Sequence, residues 1–416
     1  MSFLRKTLAA NLCRNPGFIA FLLARLAGMF ATQIQAVVVA WQIYDETRDP
    51  MALAYAGLLQ FLPMLFLSLP AGDLIDRHAR KFILMASWGV ALLCALSLWS
   101  LSSGLLPGGV TGIYFVLLAF GACRAFSGPA LQSLLPQIVP RAELARAIAV
   151  NGMMMRAASI GGPLVGGFLY AWGGGRLAYA ACALGFALGA LCLLAVRTPY
   201  QGAPATDAGN MWQRFRVGIH FIFQRPVILG TISLDLFAVL LGGVVALLPI
   251  YAKEILHVGA DGLGVLRSAI AIGEVGAGLW LSLRPFNHAV GKRMFIAVAI
   301  FGAANLAFSL SHWFWLSFFA LAIAGAADMV SVYIRGALLQ FSTPDDMRGR
   351  VSAVNMLFIG SSNELGEFRA GTCAGWFGPV VAAVAGSLCT LGVVALWTRL
   401  FPRLYGMCRF EEGEQR

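Results

Sequence analysis

The sequence predicts an all-α integral membrane protein in which twelve transmembrane helices form two pseudo-symmetric six-helix bundles. Three observations carry that prediction. Of 416 residues, 59% are hydrophobic and 12% charged, with a mean hydropathy of +0.78. A soluble chain of this length needs far more polar surface, so its main solvent is lipid. The apolar residues fall in long Leu/Ala/Val/Gly runs near the ~20 residues that cross a bilayer as a helix, without the alternation of a membrane β-barrel. These runs form two sets of six on either side of a polar break.

Charged or turn-rich breaks place the first six spans near 17–44, 52–71, 82–107, 110–139, 147–175 and 177–196. The second six fall near 226–252, 262–283, 294–311, 313–342, 351–378 and 380–398. The expected organisation is a short segment 1–16, a bundle 17–196, a linker 197–225, a second bundle 226–400 and a tail 401–416. Gly and Pro inside spans are tolerated because packed neighbours re-satisfy the loosened backbone. The first apolar run is too long for a cleavable signal and lacks a small-residue cleavage site.

Lysine and arginine orient the spans. With the first residues in the cytoplasm, twenty-one basic residues outside the spans fall inside the cell, against Arg48, Arg176 and Lys253 outside. Both termini are therefore expected in the cytoplasm of a multi-pass protein of the bacterial inner membrane. The same bias explains the net charge of +11, which in a soluble protein would suggest nucleic acid; no nucleic-acid partner is expected here. The eight cysteines form no C-x-x-C pair, so neither a metal site nor a disulfide is expected. The five histidines are scattered near loops, which argues against a membrane enzyme. No cofactor is expected, and the chain is read as a monomer.

The linker 197–225 divides a faint duplication. Pro140, Arg146, Ala149, Val150 and Asn151 reappear as Pro344, Arg350, Ala353, Val354 and Asn355, at one offset of 204 residues. Gly121-Ala122 becomes Gly325-Ala326 at the same offset.

Ionisable residues inside spans are costly and normally face a bundle interior or an aqueous cavity. Arg25, Arg124 and Arg156 lie in the first half; Asp235, Arg267, Glu274, Asp328, Arg335, Glu364, Glu367 and Arg369 lie in the second. Spans three, six, nine and twelve hold none, as expected of lipid-facing support helices around a polar centre. The three arginines of the first half are candidates for an anionic small-molecule substrate. Asp235, Glu274, Asp328, Glu364 and Glu367 are candidates for proton coupling, because a carboxylate exchanges protons at accessible pH and an arginine does not. Glu364 and Glu367, three apart on one helix face, form the leading pair. The alternative for all of these groups is structural ion pairing.

The loop between spans two and three reads Gly72-Asp73-Leu74-Ile75-Asp76-Arg77-His78-Ala79-Arg80-Lys81. It resembles the signature G-x-L-x-D-R-x-G-R-R/K of the major facilitator superfamily, with Ala79 in place of the second glycine. The resemblance implies a gating loop built on Gly72, Asp76, Arg77 and Arg80. Span five carries Gly161-Gly162-Pro163-Leu164-Val165-Gly166-Gly167, similar to the proline-glycine motif of antiporters in that superfamily. There Gly162, Pro163 and Gly166 would serve helix packing and bending. Ala246-Leu247-Leu248-Pro249-Ile250-Tyr251-Ala252, Phe358-Ile359-Gly360 and Asn363-Glu364-Leu365-Gly366-Glu367-Phe368 resemble the subgroup of enterobactin-type siderophore exporters and macrolide-efflux-like proteins. That subgroup commonly continues Glu-Ser-Gly, where this chain has Arg369-Ala370-Gly371. The resemblance covers nearly the whole chain. It implies the major facilitator fold and a secondary transporter exporting a siderophore-like anion, with multidrug or macrolide efflux as the alternative; lipid or metal transport, or a non-transporting membrane protein, stand behind both.

Overall fold

The computed structural model describes residues 15–140, 143–196 and 211–410, apart from the side chains at 69, 73, 76, 77, 211–215, 345, 346, 348, 349 and 353. Among the described residues every regular element is helical. The first four are α1 (Pro16–Thr47), α2 (Pro50–Arg77), α3 (Arg80–Ser102) and α4 (Gly109–Ile138). A 52-residue stretch, Leu144–Ala195, leaves helical geometry at Gly173 and Gly174, the latter at φ +61. That left-handed conformation suits glycine, and it divides the stretch into α5 (144–172) and α6 (175–195). The remainder comprises α7 (Met211–Gln224), α8 (Pro226–Gly242), α9 (Ala260–Leu283), α10 (Val290–Ser309), α11 (Phe314–Ser342), α12 (Asp345–Phe377), α13 (Pro379–Leu400) and α14 (Pro402–Tyr405).

Ten described helices are long and apolar enough to cross a membrane when Leu144–Ala195 is taken as one. Its division makes eleven. The twelfth is α12, whose 33 residues suffice in length but whose Glu364, Glu367 and Arg369 lower its hydropathy. The spans thus agree with the sequence in number. Several boundaries differ, among them the end of α2, which runs on through Gly72 to Arg77; with α3 starting at Arg80, only His78 and Ala79 of the signature loop lie outside helices.

Contacts separate two compact units. One gathers α1, α2 from Leu59, α3 to α6 and Gly259–Gly264 at the start of α9; the other gathers Arg48–Leu58, α7, α8 on to Val258, and the described residues from Val265. Within each, the helices pair alike. In the first, α1 lies along α5, with Gly166 3.0 Å from Ile34 Cα were it to carry a Cβ, and along α6 at Gly185 and Gly189; α3 packs on α4 and on α6. In the second, α8 lies along α12 and α13, and α10 packs on α11 and α13.

The repeated glycines extend that likeness to a further pair of helices in each unit. A Cβ on Gly121 would collide with the Gln60 carbonyl of α2, and one on Gly325 with the Ile270 carbonyl of α9. Each glycine lets two helix backbones touch, as small residues do in membranes. The helices α3, α6, α10 and α13, whose charged residues lie only at their ends, display rows of exposed apolar side chains, such as Leu184, Leu188 and Leu191 on α6 and Leu388, Leu396 and Leu400 on α13. Rows of this kind suit lipid and not water.

Residues 402–410 fold back instead of trailing from the bundle. Leu404, Met407 and Phe410 join a core with Val290, Met294, Phe295 and Trp397. The cause is the start of α10, whose first amides lack intrahelical partners. Val290 N and Gly291 N donate to the carbonyls of Cys408 and Met407 at 3.3 and 3.0 Å.

Candidate functional site

A cavity of about 260 Å³ opens inside the second unit. Each surrounding helix supplies one stripe at helical spacing. These are Asp235 and Val239 from α8, Ile270 and Glu274 from α9, Phe301 and Asn305 from α10, Asp328, Val332 and Arg335 from α11, and Ile359, Asn363 and Glu367 from α12. Four of the five carboxylates singled out in the sequence therefore share one space.

Glycine packing brings two of them together. The backbones of α9 and α11 touch at Gly273, against the Ala322 carbonyl, and at Gly325, against the Ile270 carbonyl. Glu274 follows the first glycine and Asp328 lies three residues beyond the second. The two acids act on each other electrostatically. Asp235 is ion-paired with Arg335, both almost fully buried; this contact ties α8 to α11 across the cavity.

The cavity also borders a break in α8. Helical geometry stops at Gly242 and resumes as a 3-10 turn at Val245–Leu247 and a π turn at Tyr251–Ile255, with Pro249 between them lacking an amide proton. Carbonyls at the break and one turn before it are met by side chains from three other helices. Arg369 Nε on α12 donates to Leu240 O at 2.8 Å, Asn305 Nδ2 on α10 to Gly242 O at 3.3 Å, and Thr390 Oγ1 on α13 to Ala238 O at 3.0 Å. A cation at the carbonyl end of a helix is favoured by the helix dipole. Arg369, where the subgroup commonly has an acid, thus caps the broken helix. Arg369→Ala is expected to lower stability by about 1–3 kcal/mol through a charged hydrogen bond lost to a buried carbonyl, with Arg369→Lys recovering part; thermal unfolding of the two purified variants measures it.

The remaining predicted residues are placed as follows. Glu364 does not line the cavity; with Glu367 it acts on the charge of Arg267. Arg25 on α1 is 7% exposed, its Nη2 2.7 Å from Met155 Sδ of α5 and its Nε without a hydrogen-bond partner. Arg124 and Arg156 are half-buried on α4 and α5, and each has a partner. Gly162 and Gly166 face the backbone region of α1 at Gln33 and Ile34, and a Cβ on Gly264 would sit 2.5 Å from the Pro163 carbonyl. In the loop, Gly72 lies within α2. Arg80 Nη1 donates to Ser133 O of α4 at 2.8 Å, and Lys81 Nζ to Leu194 O and Val196 O, the open carbonyl end of α6, at 3.0 and 2.7 Å. Ala79 adopts φ −65, ψ 111, a conformation that needs no glycine. The side chains of Asp76 and Arg77 lie outside the described residues.

The sequence reading passed over Asn305, Asn363 and the break at Gly242-Gly243. Asn305 is a polar residue in a span counted as charge-free, and counting amides beside ionisable groups would have found it. Sequence places Arg335 within a span but does not single out Asp235 as its partner, because five acids of that half could pair with it.

The sequence model of the Major Facilitator Superfamily matches residues 21–366. The chain belongs to the Major Facilitator Superfamily. As a member it is a multi-pass membrane transporter. Its superfamily relatives include proteins named Enterobactin exporter EntS. The one from Citrobacter koseri is 26% identical over 403 residues, covering 96% of this chain and 94% of that protein. The one from Escherichia coli O1:K1 is 26% identical over 389 residues, covering 92% and 91%. Solved structures share the fold. A bacterial homologue of the human lysosomal transporter Spinster, inward-facing and unoccupied, aligns with TM-score 0.70 at 15% identity over 96% of this chain and 97% of that one. A bacterial homologue of the iron transporter ferroportin, inward-facing, aligns with TM-score 0.72 at 15% identity over 94% and 99%.

Proposed function

We propose that this transporter exports a small molecule by alternating access, coupled to proton entry, across the inner membrane of a bacterium. The observation that carries the reading is the buried cavity lined by Asp235, Glu274, Asp328 and Glu367 beside a broken helix. Discontinuous helices and buried acids are the usual materials of ion-coupled sites. Glu274 and Asp328 are the leading proton pair, since two carboxylates sharing one space disfavour double ionisation. Protonation of Asp235 would release Arg335, so that pair can couple proton uptake to movement of α8 against α11. Glu364 takes a supporting part beside Arg267. The gating loop around Gly72, Asp76, Arg77 and Arg80 and the packing motif at Gly162, Pro163 and Gly166 serve the conformational change. The protein acts as a monomer with both termini in the cytoplasm, a placement supported by its basic loops.

For the substrate, relatives named enterobactin exporters support a siderophore-like anion, and the arginines Arg25, Arg124 and Arg156 of the first half suit one. A second reading, efflux of cationic drugs, is favoured by the excess of acids over Arg335 in the cavity lining. Everted vesicles with an acidic lumen distinguish them. Accumulation of a catecholate siderophore, lost in Asp328→Asn and Glu274→Gln and weakened less in Glu364→Gln, is expected. Accumulation of a lipophilic cationic dye instead would select the second reading. Uptake of neither, or uptake indifferent to the pH gradient, would overturn proton-coupled export of these substrates.

A further inference from the structure

Between 208 and 234 the chain has no acidic residue but carries Arg214, Arg216 and Arg225. Most of this stretch is α7, separated only by Arg225 from Pro226, which opens α8. The residue before a proline is held extended; Arg225 is so held, at φ −111 and ψ 97. The chain therefore turns sharply at the mouth of a membrane span, and α7 cannot continue along α8. Its two faces differ. Ile219, Phe221 and the buried Ile222 pack with Ile228 and Ile232 of α8 and with Met347, Val351 and Val354 of α12. At Gly218 a Cβ would lie 3.1 Å from the Arg350 carbonyl, so α7 rests against the backbone at the start of α12. The opposite face exposes Arg216 and His220, with Val217 and Phe223 at its edges, the phenylalanine 62% exposed.

We propose that this face is a seat for anionic phospholipid headgroups, and that the lipid holds the first turns of α12 in place through α7. The occupant follows from position and charge. A helix fastened to the first turn of a span lies in the headgroup layer, where exposed Phe223 and Val217 meet acyl chains and Arg216 meets phosphate. An acid-free basic segment there prefers anionic to zwitterionic lipid, by roughly fivefold for each arginine close to the surface. The mechanical link is the contact of α7 with Met347, Val351 and Val354, since α12 also carries Asn363 and Glu367 into the cavity. The proposal does not depend on which molecule is transported.

The full chain in nanodiscs of phosphatidylcholine, with or without phosphatidylglycerol, tests it. Spin-labelled phosphatidylglycerol should associate in preference to spin-labelled phosphatidylcholine. Arg216→Gln should reduce that preference about fivefold, and Arg216→Lys should keep it. Amide exchange at 351–354 should slow when phosphatidylglycerol is present, and should not respond in Arg216→Gln. Equal association of the two lipids, or like behaviour of the Gln and Lys variants, overturns the headgroup seat. Lipid preference without a change in exchange at 351–354 overturns the link to α12.

Discussion

Arg335→Ala is expected to cost about 3–5 kcal/mol of stability, because it leaves Asp235 buried and without its counter-ion. The two side chains are 5% and 7% exposed, so neither water nor bulk salt replaces the lost partner. Thermal unfolding in a fixed detergent reads the loss. The paired change Asp235→Leu with Arg335→Met should restore unfolding to near the original temperature, since hydrophobic residues of similar volume replace buried ion pairs with little or no loss. That paired variant should nevertheless be inactive in proton-driven uptake. An active double variant would remove Asp235 and Arg335 from the coupling machinery; a fully stable Arg335→Ala would show that the pair is not closed in the membrane.

Gly121→Val and Gly325→Val should each abolish accumulation of folded protein. In both cases the new side chain meets a backbone carbonyl, of Gln60 or of Ile270, and a helix axis cannot yield as a flexible side chain can. The two substitutions probe one duplicated crossing, so matched losses are the expected result. Gly360→Ala is the control. Open space surrounds Gly360, and alanine favours a helix over glycine by about 1 kcal/mol, so yield should be unchanged or higher. Fluorescence-detected size exclusion of the three variants in parallel compares them.

The legible part of the candidate site is its chemistry, and the illegible part is its partnership. Asp235, Glu274, Asp328 and Glu367 stand out in sequence because a charge in a lipid-embedded helix demands a reason. Glu364 stands out equally, yet it lies away from the cavity lining. Spacing of three residues places Glu364 and Glu367 on adjoining helical rows, but only the rotation of α12 decides which row meets the cavity. Glu274 and Asp328 are 54 positions apart, and their proximity depends on glycines that allow α9 and α11 to touch. Arg369 shows the same limit. In sequence it is an acid replaced by a base; in the structure it is the cap of a broken helix on another element.

The sequence by itself determined the solvent, the number of spans and the duplication. Hydropathy is a local property, and each helix satisfies its own backbone whatever its neighbours do. It also named most of the charged residues of the cavity. The tertiary structure alone decided which acids share a space, that Arg335 answers Asp235, and that α8 breaks at Gly242-Gly243 with Arg369 and Asn305 supplying missing hydrogen bonds. Those choices follow from how close two helices approach and how each is turned, and both are settled by small residues and side-chain contacts distant in the chain.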